Sequence, residues 1–289
     1  MSRLACRRRA ARLRPIICRT LRREYRLYSP TEEIRASISF VEASPDLPDA
    51  VLEPAEIFIG MRDGFLVART PTGNLIEGTS SHLISAMHRR IFNDLVDGDP
   101  GAPFIHGATV VIGGKRLLLV GRKGCGKSTL ALYLALAGHK VEGDEHLLIR
   151  ANEVVARPRT LRIKEGSLAL LAHAPPAIWE APSIHNWDGS VIRSISPAVC
   201  GHPWVIRAGE LDAMIFLSAN HGGKSVARPV TRADALRHLM DELMLPNVGV
   251  AVAAGRIQRL SLDVPSYKLS LGELDMAEWH LRQIADMLT

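Results

Sequence analysis

Apolar positions in this chain alternate, run together or recur at helical spacing, and each pattern predicts an element. Ala55-Glu56-Ile57-Phe58-Ile59-Gly60 and Gly64-Phe65-Leu66-Val67-Ala68 read as two strands joined by a polar turn containing Arg62-Asp63. Pro45-Asp46-Leu47-Pro48 ahead of them reads as loop. After Ser80-Ser81, which can cap, the spacing of Leu83, Met87, Ile91 and Leu95 predicts a helix, ended by Gly98-Asp99-Pro100-Gly101. Phe104 to Ile112 reads as one strand, with His106 near its start, and Gly113-Gly114 as a hairpin turn. Arg116-Leu117-Leu118-Leu119-Val120 then forms a short apolar run that fits a buried strand.

Further on, Leu147–Arg150 and Val154–Ala156 read as a hairpin around Ala151-Asn152-Glu153. Residues 173–190, rich in Pro, His, Trp and Asn, show little periodicity and read as a long loop or flap. Leu211 to Leu217 reads as a buried strand, followed by the polar glycine turn Asn220-His221-Gly222-Gly223-Lys224. Thr231 caps a helix predicted through Leu245, with Ala235, Leu236, Leu239 and Leu243 on one face and Pro246-Asn247 at its end. A last helix is expected over Leu274–Leu288, and no internal repeat is present. Together these elements predict three parts: a head over residues 1–30, a small N-terminal α+β domain over 31–100 and an α/β domain over 101–289 with mainly antiparallel sheet character.

The chemistry is concentrated between residues 106 and 145. Gly121-Arg122-Lys123-Gly124-Cys125-Gly126-Lys127-Ser128 fills the phosphate-loop pattern G-x-x-x-x-G-K-[ST]. The glycines let the backbone curl and turn its N–H groups to phosphate oxygens. Lys127 is placed to reach the β- and γ-phosphates of ATP, and the Ser128 hydroxyl to ligate Mg²⁺. The bare pattern also occurs by chance, so context decides. An apolar strand precedes it, and a Leu- and Ala-rich helix from Thr129 to Ala137, closed by Gly138, follows. That order sets a helix N-terminus under the phosphates. Asp144-Glu145 follow Lys127 by seventeen and eighteen residues and can return two carboxylates to the site. One would hold Mg²⁺ with Ser128, a role given to Glu145. The other, Asp144, would accept the proton of an attacking hydroxyl. Sequence leaves the two roles exchangeable, and an exposed acidic turn fits the same spacing.

His106-Gly107, Gly121 fifteen positions on, Gly126-Lys127-Ser128, then Gly138-His139 and the acidic pair resemble the core of the HPr kinase/phosphorylase family. The resemblance covers about residues 103–150 and extends toward Val205-Ile206-Arg207-Ala208-Gly209. It implies a P-loop kinase core of the type shared with phosphoenolpyruvate carboxykinase. It also implies ATP-dependent transfer to a serine-like hydroxyl of a protein or peptide, and a homo-oligomer. His106 would line the site, and Arg207 would neutralise charge on the transferring group; on the residues alone a structural histidine and a surface arginine fit as well. The chain departs from the family at Glu145, where the family has Asp, and at Thr129, where it usually has Glu. It also lacks the family's long C-terminal signature. Shorter relatives of this kind occur in peptide-modifying pathways, and HPr itself is in doubt as the substrate.

Composition changes this picture little. The formal charge of +6 comes from the head, where residues 1–30 hold ten arginines against Glu24. Elsewhere 26 basic residues face 29 acidic ones, so the body has no nucleic-acid-binding excess. An Arg-rich head fits a flexible arm, a transit segment or a solvated extension. The four cysteines, at 6, 18, 125 and 200, have neither disulfide nor metal spacing, which points to a reducing, cytoplasmic setting. No run of eighteen apolar residues predicts a membrane span. The expected function is a protein or peptide serine kinase; the alternatives are an ATP-sensing binding module and a P-loop ATPase, with a small-molecule acceptor also open.

Overall fold

The computed structural model describes residues 14–19, 23–32, 35, 53–69, 73, 75–79, 82–83, 86–87, 102–150, 153–156, 160–171, 174–181, 183–185, 190–201, 208–244 and 249–288. They fall into two units, one within 1–98 and 159–196, the other within 99–158 and 197–289. The chain opens with β1 (Ile16–Arg19), β2 (Arg23–Tyr28), β3 (Glu53–Arg62), β4 (Phe65–Arg69) and β5 (Leu75–Gly78). Next come β6 (Phe104–Ile105), β7 (Gly107–Ile112), β8 (Lys115–Val120), α1 (Lys127–Leu136), β9 (Lys140–Asp144), β10 (Leu147–Arg150) and β11 (Glu153–Ala156). There follow β12 (Leu161–Lys164), the single-turn helices α2 (Glu165–Leu168) and α3 (Pro176–Trp179), β13 (Ser183–His185) and β14 (Val191–Ile195). The last stretch holds β15 (Ala208–Glu210), β16 (Ala213–Ala219), β17 (Val226–Pro229), α4 (Arg232–Asp241), β18 (Leu243–Met244), α5 (Val250–Asp263), β19 (Ser266–Leu271) and α6 (Leu274–Met287).

In the first unit β1 to β5 form a sheet in chain order, with β2 and β3 parallel and the other pairs antiparallel. Period-two alternation drives it: Ala55, Ile57 and Ile59 of β3 and Leu66 and Ala68 of β4 are buried with Leu83 and Met87. The β3–β4 hairpin turns on Asp63 and Gly64, both at positive φ (51° and 83°), the combination that matches strand twist. A second sheet of this unit runs β12-β14-β13. The described part of 173–190, expected as loop, carries α3 and β13; His173, Pro182 and Asn186 to Gly189 lie outside the described residues. Most of the helix expected after Ser80 also lies outside them, with His82, Leu83, Ala86 and Met87 helical.

The second unit is a mixed α/β arrangement built on a six-stranded sheet in the order β17-β19-β16-β8-β7-β9. Antiparallel pairs prevail in the described chain, but β16 is parallel to both β8 and β19 at this sheet's centre. Leu117, Leu118, Leu119 and Val120 of β8 are fully buried, which is why the run is apolar without alternation. A second, antiparallel sheet runs β15-β11-β10-β6-β18. Ile105, Val120, Leu147, Met214 and Phe216 share one core with Ala235 and Leu239 of α4 and Ile257 and Leu260 of α5. Three boundaries differ from the sequence reading. The strand expected over Phe104–Ile112 breaks at His106, whose backbone N–H donates to the Glu242 carbonyl at 3.2 Å. The helix capped by Thr231 stops at Asp241, because Leu243 and Met244 pair with β6 instead. The strand expected from Leu211 starts at Ala213.

A β-bulge and an ion pair set the end of β9. Val110 pairs with Val141 but Thr109 with Gly143, so Glu142 is an inserted residue. Its buried carboxylate accepts from Arg116 Nε at 2.6 Å and from the second guanidinium nitrogen at 3.0 Å. Breaking a buried pair strands the remaining charge, so Glu142→Ala is expected to cost about 3–5 kcal/mol. Urea unfolding measures this, and a loss below about 1 kcal/mol contradicts it. At the other end of α1, His139 Nε2 lies 2.9 Å from Glu278 of α6, which also accepts from Arg282. Burial alone would push the Glu278 carboxyl up, but the His139 and Arg282 hydrogen bonds bring it below the usual carboxylate range. A depressed carboxyl stabilises the fold at neutral pH and loses that contribution as pH falls through its folded value. Glu278→Gln is therefore expected to lower stability at pH 7 and flatten its decline below pH ~4, read from melting temperatures across pH.

Candidate functional site

Strand β8 delivers the chain into the glycine-rich loop from Gly121 to Ser128. Gly121 has no room for a side chain, since a Cβ there would lie 2.7 Å from the Leu217 carbonyl oxygen and 2.8 Å from Cys125 Sγ. Gly126 stands at φ 97° as the N-cap of α1, a conformation other residues adopt at a cost. As glycine it makes no side-chain cap to the first turn of the helix. The Lys127 ammonium is buried and lies on the carbonyls of Gly121 and Arg122, the latter at 3.1 Å. Arg122, Lys123 and Gly124 are exposed. Cys125 is buried, and that burial pushes its thiol up despite Lys127, so it acts as a packed loop residue. Thr129 is buried within α1.

The structure brings Ser128 and Asp144 together. Ser128 Oγ donates to Asp144 Oδ2 at 2.7 Å, joining the first turn of α1 to the end of β9. Asp144 is 1% exposed. Glu145 follows at φ 80°, a left-handed backbone uncommon for a residue with a side chain and characteristic of sites. The two acids thus occupy different environments, one buried against the loop serine and one half-buried in a strained link. Among the described residues no three His, Cys, Asp or Glu side chains gather at metal-binding distance.

His106 pairs with Glu242, its Nδ1 3.5 Å from Oε2. Gly107 after it must be glycine, because a Cβ would lie 2.7 Å from the Leu119 carbonyl oxygen. Arg207 lies outside the described residues. The turn Asn220–Lys224 is braced onto β19, with the Asn220 N–H donating to the Leu271 carbonyl at 2.7 Å.

Sequence reasoning missed a group of residues that α4, β16 and β19 add. A cleft of about 390 Å³ lies along the loop from Gly121 to Cys125, walled by Phe216, Ala219, His238, Asp241, Glu242 and Lys268. Burial raises the Glu242 carboxyl even though Lys127 and Arg122 pull it down. Burial lowers the His238 imidazole, which stacks on Phe216 at 4.9 Å. The position of β16 was legible, and ligands gather at the carboxyl ends of parallel strands, so Ala219 could have been found that way. Glu242, at the frayed end of an amphipathic helix, carries no such signal.

No family model and no curated protein matches the chain. Among solved structures it is similar to the HPr(Ser) kinase/phosphatase from Coxiella burnetii, with 14% identity over 63% of this chain and 88% of that one, at a TM-score of 0.32. A likeness at that level carries no inference about the reaction.

Proposed function

We propose that the second unit is an ATP-dependent kinase that transfers the γ-phosphoryl group to a serine-like hydroxyl of a protein or peptide. One observation carries the reading: a buried carboxylate, Asp144, hydrogen-bonded to the phosphate-loop serine, directly after the buried loop lysine. A glycine-rich turn without ligand has no use for either buried charge.

The donor set fits Mg²⁺. Ser128 Oγ and Asp144 Oδ2 are hard oxygens at adjoining positions, and Mg²⁺ takes few protein ligands alongside substrate phosphates and waters. Bound there, the ion would neutralise charge developing on the β- and γ-phosphates. This pairing favours Asp144 over Glu145 as the partner of Ser128, the reverse of the roles first assigned. The loop's backbone N–H groups and the start of α1 hold the phosphates. Lys127 exchanges loop carbonyls for phosphate oxygens and draws charge from the leaving group. The acceptor and its protein or peptide nature rest on the sequence resemblance, and a cytoplasmic setting on the unpaired spacing of the cysteines; among the described residues no helix is long and apolar enough to cross a membrane.

The test uses γ-labelled ATP, Mg²⁺ and a library of serine- and threonine-centred peptides. Wild-type protein is expected to label peptide, and Lys127→Ala to slow transfer about 10²–10³-fold or more. Asp144→Asn is expected to raise the Mg²⁺ needed for half-maximal rate about ten- to a hundredfold. Tight ATP binding with no label moved to peptide or water would make a nucleotide-sensing module the better account.

A further inference from the structure

The cleft beside the loop has walls that phosphate binding does not use. Its ionisable groups are Arg122, Lys123, Cys125, His238, Asp241, Glu242 and Lys268. Neither Ser128 nor Asp144 lines it, so it adjoins the phosphate loop without containing the serine–aspartate pair. On the kinase reading, an acceptor needs a pocket open beside the loop and a proton acceptor within it. Asp144 is engaged by Ser128 and is accounted for on the metal side.

We propose, resting on that reading, that this cleft receives the acceptor and that Glu242 takes the proton of the attacking hydroxyl. The hydroxyl oxygen bonds to the γ-phosphorus as the bond from that phosphorus to the β–γ bridging oxygen breaks. The electron pair leaves on ADP, and the hydroxyl proton passes to a Glu242 carboxylate oxygen.

Position supports the role first. Glu242 lines the cleft in the field of two loop cations, Lys127 and Arg122. It is also held in place: its carbonyl accepts from the His106 N–H at 3.2 Å, and its Oε2 lies 3.5 Å from His106 Nδ1. This gives His106 a positioning role, and gives the break between β6 and β7 a purpose. Its side chain is only 11% exposed, dry enough to matter and still on a cleft wall. The charged and titratable groups around it are His106, Arg122, Cys125, Lys127 and Asp241, with His238 and Lys268 on the same cleft. Burial raises its carboxyl above the usual range, toward what a base working near neutral pH requires. A base acts when deprotonated, so turnover falls as pH drops through that raised value.

The experiment compares wild type, Glu242→Gln and Glu242→Asp with γ-labelled ATP, Mg²⁺ and the serine- and threonine-centred peptides, across pH, alongside the affinity of a fluorescent ATP analogue. Glu242→Gln is expected to slow transfer about a hundredfold or more, keep nucleotide affinity within about twofold and lose the acid limb of the pH profile. Glu242→Asp, a shortened base, is expected to slow transfer about tenfold and keep that limb. Wild-type rates and limb in Glu242→Gln overturn the proposal. Nucleotide affinity lost together with turnover also overturns it, since that marks a prop for the loop. If Glu242→Gln does not fold, unaltered transfer in Glu242→Asp is the overturning result. Wild-type protein that binds the analogue but labels neither peptide nor water removes the kinase reading itself, an outcome visible before any variant is compared.

Discussion

Four consecutive side chains of β8, Leu117 to Val120, have no access to water, and the placement of the site follows from that. A strand dry on both faces is fixed in register by its neighbours, because a one-residue slip would move every side chain to the opposite face. β7 and β16 hold it from either side, one antiparallel and one parallel. The loop that leaves β8 is thereby seated against the ends of β16 and β19. The Leu217 carbonyl crowds Gly121, and Gly126 stands at φ 97°, which is why those positions are glycine. The strand order delivers the start of α1 and the end of β9 to one place, although Ser128 and Asp144 are sixteen residues apart in sequence.

Buried charge is handled with the same economy throughout the second unit. Lys127 rests on the carbonyls of its own loop, Glu142 on Arg116, and Glu278 on His139 and Arg282. The Lys127 ammonium also lies 3.8 Å from Cys125 Sγ, and Glu242 stands in its field. Glu142 and Arg116 are different in kind: their fork is closed, and they hold structure in place.

What was legible in the sequence is what depends on local chain chemistry. The G-x-x-x-x-G-K-S loop, its apolar strand, its helix and the acidic pair are contiguous, so motif and periodicity find them. The parallel centre of the sheet was harder, because β16 and β19 meet β8 only after long excursions, and β19 and α5 have no counterpart among the elements read from sequence. In α5 the buried positions include Ala253 and Ser261, residues whose small side chains hardly register as an apolar stripe. β18 was hidden for the opposite reason: Leu243 continues the apolar face of α4, and only pairing with Ile105 overrides the helical period. The segment from 159 to 196 pairs within itself, so nothing in its pattern says which unit it joins. Glu242 was invisible because its meaning comes from His106 and Lys127, both more than a hundred residues earlier in the chain.

The bulge at Glu142 lets β9 carry one residue more than the stretch of β7 it faces. With the inserted residue in place, Asp144 stands opposite Ala108 and on the side that meets Ser128. Removing Glu142 would restore regular alternation and keep Asp144 opposite Ala108, but it would also remove the carboxylate that Arg116 holds. Length variation among relatives of this chain should therefore be rare in this stretch, because it would break a buried ion pair. It should collect instead at turns such as Gly113-Gly114, where added residues reach only solvent and leave every strand's facing unchanged.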